Sequence, residues 1–395
     1  MITLGGLVWA NYHFCAQNPG GVDFLAPWIR GRSFMMEGIS PYTEIVDLRV
    51  QKAIYSRPAQ GDEPRASGLY PLYSFFLFAP FSTISNYILA RALWMTLLEI
   101  SLIVIAFLAL LLVEWRPRKW LLTVYLLFAA LWYHGICAVV NGDAIIVVTL
   151  LLTGTLLAIK HKRDKMAGFL LAYATIEPKS TLLLILLIMF WSISQRRWKI
   201  VGWFVGGLVA LIVTGMIFIP NWIIQNIWTI LRYPSYTQVG TLSNVLSGWM
   251  PGIVLYLKWG IPLVFGSVLL WEWWAARDKN FEWFLWTASL TLVISQWIGI
   301  QTDPGNFVFI FFALVLVLSG WDKRWKRFGK WIDLTILSIL LVGLWSLFIL
   351  TLDQTYQLTQ DSIMFIPLPA FLLIGLYWVK WWIVRPARLA LEQDL

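Results

Sequence analysis

Five stretches of the chain are apolar for the length a membrane demands: Ile88–Val113, Trp120–Val140, Val201–Ile219, Ile332–Leu352 and Ile363–Val384. The hydrocarbon core of a bilayer is about 30 Å thick, so a helix needs about 20 apolar residues to cross it. A soluble core has no use for so many helices of that length. Backbone amides in lipid must bond within their own segment, so these spans are helices. No ten-residue alternation of polar and apolar residues points to a membrane barrel. The expected fold is an all-α integral membrane protein, a polytopic bundle of about 10–12 transmembrane or re-entrant helices.

Hydrophobic residues make up 59% of the chain and charged residues 13%, against roughly a quarter charged in soluble domains. There are 26 Trp, and Trp and Tyr favour membrane interfaces. Trp271, Trp273 and Trp274 therefore read first as anchors and only second as a sugar-stacking surface. The net charge of +9 looks like a nucleic-acid signal until it is mapped. Most of the 30 Lys and Arg residues fall in short loops between spans, such as Arg116–Lys119, Lys160–Lys165, Arg196–Lys199 and Lys323–Lys330. That is the positive-inside pattern of cytoplasmic loops, and it argues against a nucleic-acid partner. Cys15 and Cys137, both in apolar surroundings, make no disulfide or zinc framework.

With the basic clusters placed inside the cell, the spans alternate without a misfit, and the chain ends inside after Ile363–Val384. Residues 1–395 read as one membrane domain of the cell inner (plasma) membrane. Residues 17–68 form a first extracytoplasmic loop and 220–252 a second large one. The first loop carries six acids and six bases, and this balance, with its aromatics, predicts an ordered segment. Met1–Ala16 is apolar but short, with no basic start, which predicts a truncated first helix or a start placed late rather than a secretory signal. Tyr70–Ser82 is too short to span and is expected to be re-entrant or interfacial. Met166–Ile176 and Thr181–Ser194 are separated by Glu177-Pro178-Lys179, and proline there predicts two half-helices meeting at a polar hinge.

No metal-spacing cluster, P-loop, dinucleotide fingerprint or nucleophile elbow is present, and there are three histidines. Neither a metal nor a cofactor is expected. What remains is a set of ionisable residues at the ends of helices, where charge is costly and therefore a functional candidate. Asp23 follows Asn18-Pro19-Gly20-Gly21 where the first helix leaves the membrane. It reads either as a general base or as the N-cap of a loop helix. Arg91, Lys179, Arg232 and Lys258 sit at or near outer helix ends. As a set they suit a phosphate; singly, each fits snorkelling to the head groups. Glu177 can be a local partner of Lys179. His134 reads as a proton shuttle or a hydrogen-bonded interior histidine, and Asp143, after Asn141-Gly142, as a helix cap.

The order of several short motifs resembles glycosyltransferase family 87. They are Asp23-Phe24 after a first helix, Gly38-Ile39-Ser40-Pro41-Tyr42, Tyr70-Pro71, Asn141-Gly142, and Ala167-Gly168 leading to Pro178. They cover about the first half of the chain. The family's enzymes are of GT-C type and related to polyprenol-phosphate-mannose-dependent mannosyltransferases. The resemblance implies a polyprenyl-phosphate sugar donor, an extracytoplasmic active site, and Asp23 as the catalytic base. The sequence departs from the family at four places: Leu72 follows Tyr70-Pro71, Asp143 follows Gly142, Glu177 precedes Pro178 with the lysine moved to Lys179, and Asn306 stands where many members have histidine.

The expected function is transfer of a mannose-like hexose from that donor to a lipid or cell-envelope glycan. Asp23 is the expected base, and Lys179, Arg91 and Arg232 the donor-phosphate ligands. Asn141, Asp143, Glu177, Asp303, Asn306, His134, Tyr42 and Tyr70 are expected to line the site. Two other readings stay open. Broken helices and polar hinges also suit a transporter or flippase of a lipid-linked substrate, although no internal repeat is present. The departures from the family pattern suit an inactive member serving as a structural subunit.

Overall fold

The computed structural model describes residues 2–60, 63, 65, 69–232, 242, 246, 250, 252, 254–298, 304–325, 327–352 and 364–384. Every regular element among them is helical. The first half holds α1 (Ile2–Gln17), α2 (Val22–Glu37), α3 (Glu44–Tyr55), α4 (Phe75–Ser82), α5 (Tyr87–Val113), α6 (Lys119–Leu131), α7 (Tyr133–Asn141), α8 (Ile145–Lys160), α9 (Asp164–Ala174) and α10 (Pro178–Ser194). The second holds α11 (Trp198–Phe218), α12 (Trp222–Arg232), α13 (Val254–Ala276), α14 (Phe281–Ser295), α15 (Phe311–Trp325), α16 (Gly329–Thr351) and α17 (Pro367–Val379). Helix α5, the α6–α7 pair, α11 and α16 are each long and apolar enough to cross a bilayer. The chain is an all-α, polytopic membrane protein.

The core lies where α5, α8, α14 and α15 meet. Helix α14 is buried from Phe284 to Ser295, so it has no polar face to give to water. Its hydroxyls are satisfied within the helix: Thr287, Ser289 and Thr291 each donate to the carbonyl four residues back, at 2.8–2.9 Å. The Trp286 indole donates to the Leu376 carbonyl. The opposite case is α11, whose Val205, Val209, Val213 and Ile217 are exposed at a spacing of four residues. They form a stripe that suits lipid.

Long helices separate two ends. Helix α5 has 27 residues, about 40 Å at 1.5 Å per residue. At its C-terminus, Lys160 donates to the carbonyls of Leu111 and Leu112 at 2.8 Å. Arg197 reaches the Ile159 carbonyl at 2.9 Å and pairs with Asp164. Ser194 and Gln195 both bond the Arg277 carbonyl. The basic loops that alternate in sequence thus converge on one end. The first loop and the Asn141-Gly142-Asp143 turn lie at the other.

Three expectations meet a refinement. Trp120–Val140 is two helices, because Trp132 is extended (φ −68°, ψ 148°) and turns its ring over Gly135, where a Cβ would meet the indole nitrogen at 2.5 Å. Within Ile363–Val384, Met364 and Phe365 are helical and a bend follows at Ile366; α17 then starts at Pro367, a first-turn proline, and runs on into a wider π turn over Lys380–Val384. The first loop is itself helical, α2 and α3, with a 3₁₀ turn over Leu72–Ser74 leading into the short α4. The break at Glu177-Pro178 is present as read: α9 stops at Ala174 and Pro178 opens α10.

Candidate functional site

Asp23 owes its position to two glycines. Gly20 and Gly21 both have positive φ (146° and 75°), and Gly21 is the N-cap of α2. The capping alternative for Asp23 is therefore not taken. Asp23 stands in the first turn, where a carboxylate is favoured by the helix dipole. A Cβ on Gly21 would lie 2.4 Å from Arg91 Nε, so only glycine admits the arginine beneath the loop.

Arg91 is 2% exposed. It donates to the Asn18 carbonyl at 2.7 Å and to the Val140 carbonyl at 2.9 Å. It is therefore built into the backbone on both sides of the site. Tyr87 lies one turn before it and Trp94 one turn after, on one face of α5. The Tyr87 hydroxyl donates to the carbonyls of Gly20 (2.8 Å) and Gly21 (3.2 Å). The Trp94 indole donates to the Gly142 carbonyl at 2.8 Å. These two partners were missed in sequence. The available signal was a lone arginine in an apolar helix, flanked at −4 and +3 by aromatics with polar tips.

The Asn141-Gly142-Asp143 turn packs on Asp23-Phe24. Gly142 has φ 76°, and a Cβ there would meet Phe24 Cβ at 2.6 Å. Phe24 stacks on Trp94 with ring centroids 5.4 Å apart. Asn141 closes α7 and is exposed. Asp143, one residue before Ala144, the N-cap of α8, is 8% exposed and accepts from the Ile145 amide at 2.9 Å. Glu177 is buried at the start of α10, where its carbonyl accepts from the Thr181 hydroxyl.

Tyr70 feels the field of these acids. Burial raises its phenol well above the usual tyrosine range, and the carboxylates of Glu177, Asp143 and Asp23 raise it further. A hydroxyl that stays protonated is thus held in the field of three acids from three separate stretches of chain. The Tyr70 carbonyl accepts from the Tyr42 hydroxyl at 3.0 Å and from Asn226 at 3.4 Å. One residue beyond Leu72, the Tyr73 hydroxyl donates to the Thr175 carbonyl at 3.0 Å, which fastens the Tyr-Pro turn to the α9–α10 break.

The remaining candidates are dispersed. Arg232 is exposed on α12, 3.6 Å from Glu44, beside a cavity of about 230 Å³ lined by Asp47, Gln225 and Trp228. His134 is fully buried against Trp132, Tyr133 and Phe307. Asp303 and the side chains of Asn306 and Lys179 lie outside the described residues. A larger cavity, about 460 Å³, is at the basic end and touches none of these residues.

A family model for glycosyltransferase family 87 matches residues 69–295. No curated protein matches the chain, and no solved structure does.

Proposed function

Since this chain belongs to glycosyltransferase family 87, we propose that it transfers a mannose-like hexose from a polyprenyl-phosphate sugar to a lipid or cell-envelope glycan. Membership implies a sugar donor and an acceptor. The donor's carrier, the acceptor and the side of action are our reading. The observation that carries it is the packing of the Asn141–Asp143 turn on Asp23-Phe24, joined through Arg91, at the end of the bundle opposite the basic loops. Basic loops favour the cytoplasm, so this cluster faces the extracytoplasmic side of the inner membrane, with the chain ending on the cytoplasmic side, in a GT-C-like bundle. A polyprenyl donor lies in the bilayer and presents its sugar at that surface.

Asp23 takes the proton of the acceptor hydroxyl as that oxygen attacks the anomeric carbon. The bond from that carbon to the phosphate oxygen breaks, and the polyprenyl phosphate leaves with inversion. Charge grows on the leaving phosphate, so cations aimed at it lower the barrier. Lys179 and Arg232 are the residues we assign to this task. Arg91 acts through the backbone: by joining Asn18 to Val140 it sets the distance between Asp23 and the Asn141–Asp143 turn. The test is transfer by the purified protein from polyprenyl-phosphate mannose and glucose to membrane lipid extracts. Sugar label in a lipid-extractable product is expected. Transfer from a nucleotide sugar with none from either lipid donor would contradict the reading.

A further inference from the structure

The basic end holds a cavity of about 460 Å³ that the transfer reaction does not use. It opens between the ends of α5, α8 and α14 and the flanks of α15 and α17. Its floor is apolar: Leu112, Val113, Leu285 and Val379 line it and are all less than 9% exposed. Its rim carries Lys160, His161 and Lys323, with Glu114 and Glu282.

The charges on this rim are not equivalent. Lys160 is committed, bonded to the Leu111 and Leu112 carbonyls and 2.9 Å from Glu114. That contact holds the Glu114 carboxyl below the usual range, so it stays ionised and matched. Glu282 stands in the first turn of α14, where its charge complements the helix dipole. Lys323 has a carbonyl contact at 3.4 Å, which leaves its ammonium able to take an anion. The volume falls among those of drug-sized ligand sites, about 300–1,000 Å³, far more than a bare phosphate fills. An apolar floor gives free phosphate nothing to contact, whereas an acyl chain fits it.

We propose that this cavity binds an anionic phospholipid, its phosphate on Lys323 and His161 and the first part of an acyl chain against Leu112, Leu285 and Val379. Basic pockets between membrane helices favour such head groups on the cytoplasmic side. The inference does not depend on the glycosyltransferase reading, because it concerns the opposite end of the molecule and needs no turnover.

The test is native mass spectrometry of the full chain released from nanodiscs of phosphatidylcholine containing a minor fraction of phosphatidylglycerol. Lys323→Gln removes the head-group contact, and Ser319→Leu fills the cavity without changing charge. Arg196→Gln with Lys199→Gln removes two charges from the same end outside the cavity. Thermal stability of each variant checks the fold. Retained phosphatidylglycerol is expected to fall about fivefold in Lys323→Gln, the effect of one lysine near an anionic head group, to fall in Ser319→Leu, and to be unchanged in the double variant. Equal loss in the double variant would reduce the effect to surface charge and overturn the proposal. Retention in both cavity variants, or binding of inorganic phosphate with no lipid retained, would overturn it as well.

Discussion

Gly142 lies against Phe24 so closely that a Cβ at Gly142 would sit 2.6 Å from the Phe24 Cβ. The turn before α8 and the first turn of α2 therefore fit together only without a side chain at this position. Its φ of 76° adds a second reason for glycine. Gly142→Ala is expected to destabilise the protein by about 1–3 kcal/mol, the usual cost of forcing an extra methyl into a packed site. It should also lower transfer by displacing Asp23. Thermal melts and initial rates check both; a variant with unchanged stability would remove this contact from the account.

Arg91 separates a positioning role from a ligand role. Arg91→Met removes the donors to Asn18 and Val140, which leaves part-buried carbonyls unpaired at about 1–3 kcal/mol. A residue that places the base lowers stability and kcat, with the KM for the donor little changed. A rise in donor KM at full stability would instead return Arg91 to the phosphate.

Within the first loop, Arg30 donates to the Asp47 carboxylate at 2.7 Å and to the Pro41 carbonyl, and both charged side chains are almost fully buried. Arg30→Met leaves Asp47 buried without that cation and is expected to cost about 3–5 kcal/mol. Arg30→Met with Asp47→Leu should recover most of it. Melting temperatures of the two variants decide the matter, and equal loss in both would contradict a coupled pair.

The same aspartate gives a pH dependence. Burial raises the Asp47 carboxyl above its ordinary value of 3.8, and Arg30 opposes the rise. A carboxyl whose folded value is raised favours the folded state when protonated. This contribution is full below 3.8 and is lost as the pH rises through the folded value. Wild type should therefore gain stability relative to Asp47→Asn as the pH falls through that window. Parallel melting curves at every pH would contradict it.

What could be read from sequence followed from how each signal is written. Spans such as α5 and α11 show themselves because lipid demands length and hydrophobicity from one continuous stretch. The hinge at Pro178 shows itself because proline lacks the amide that a helix interior needs. The break at Trp132 does not, since neither proline nor glycine occupies it and the cause is a ring that packs on Gly135. Asp23, Asp143 and Glu177 are visible singly as charges at helix ends. The packing of the Asp143 turn on the start of α2 depends on the Arg91, Tyr87 and Trp94 contacts to backbone carbonyls, and those carbonyls leave no mark on residue type.

The central claim is that Asp23 is the base. Asp23→Asn keeps the size and hydrogen-bonding capacity of the side chain and removes its proton affinity. The decisive measurement is the transfer rate of this variant from polyprenyl-phosphate sugar, taken with its melting temperature. A fall of about 10²–10⁴ in rate at unchanged stability is expected, the usual effect of losing a general base. Transfer at the wild-type rate would contradict the account and turn attention to Asp143 and Asp47.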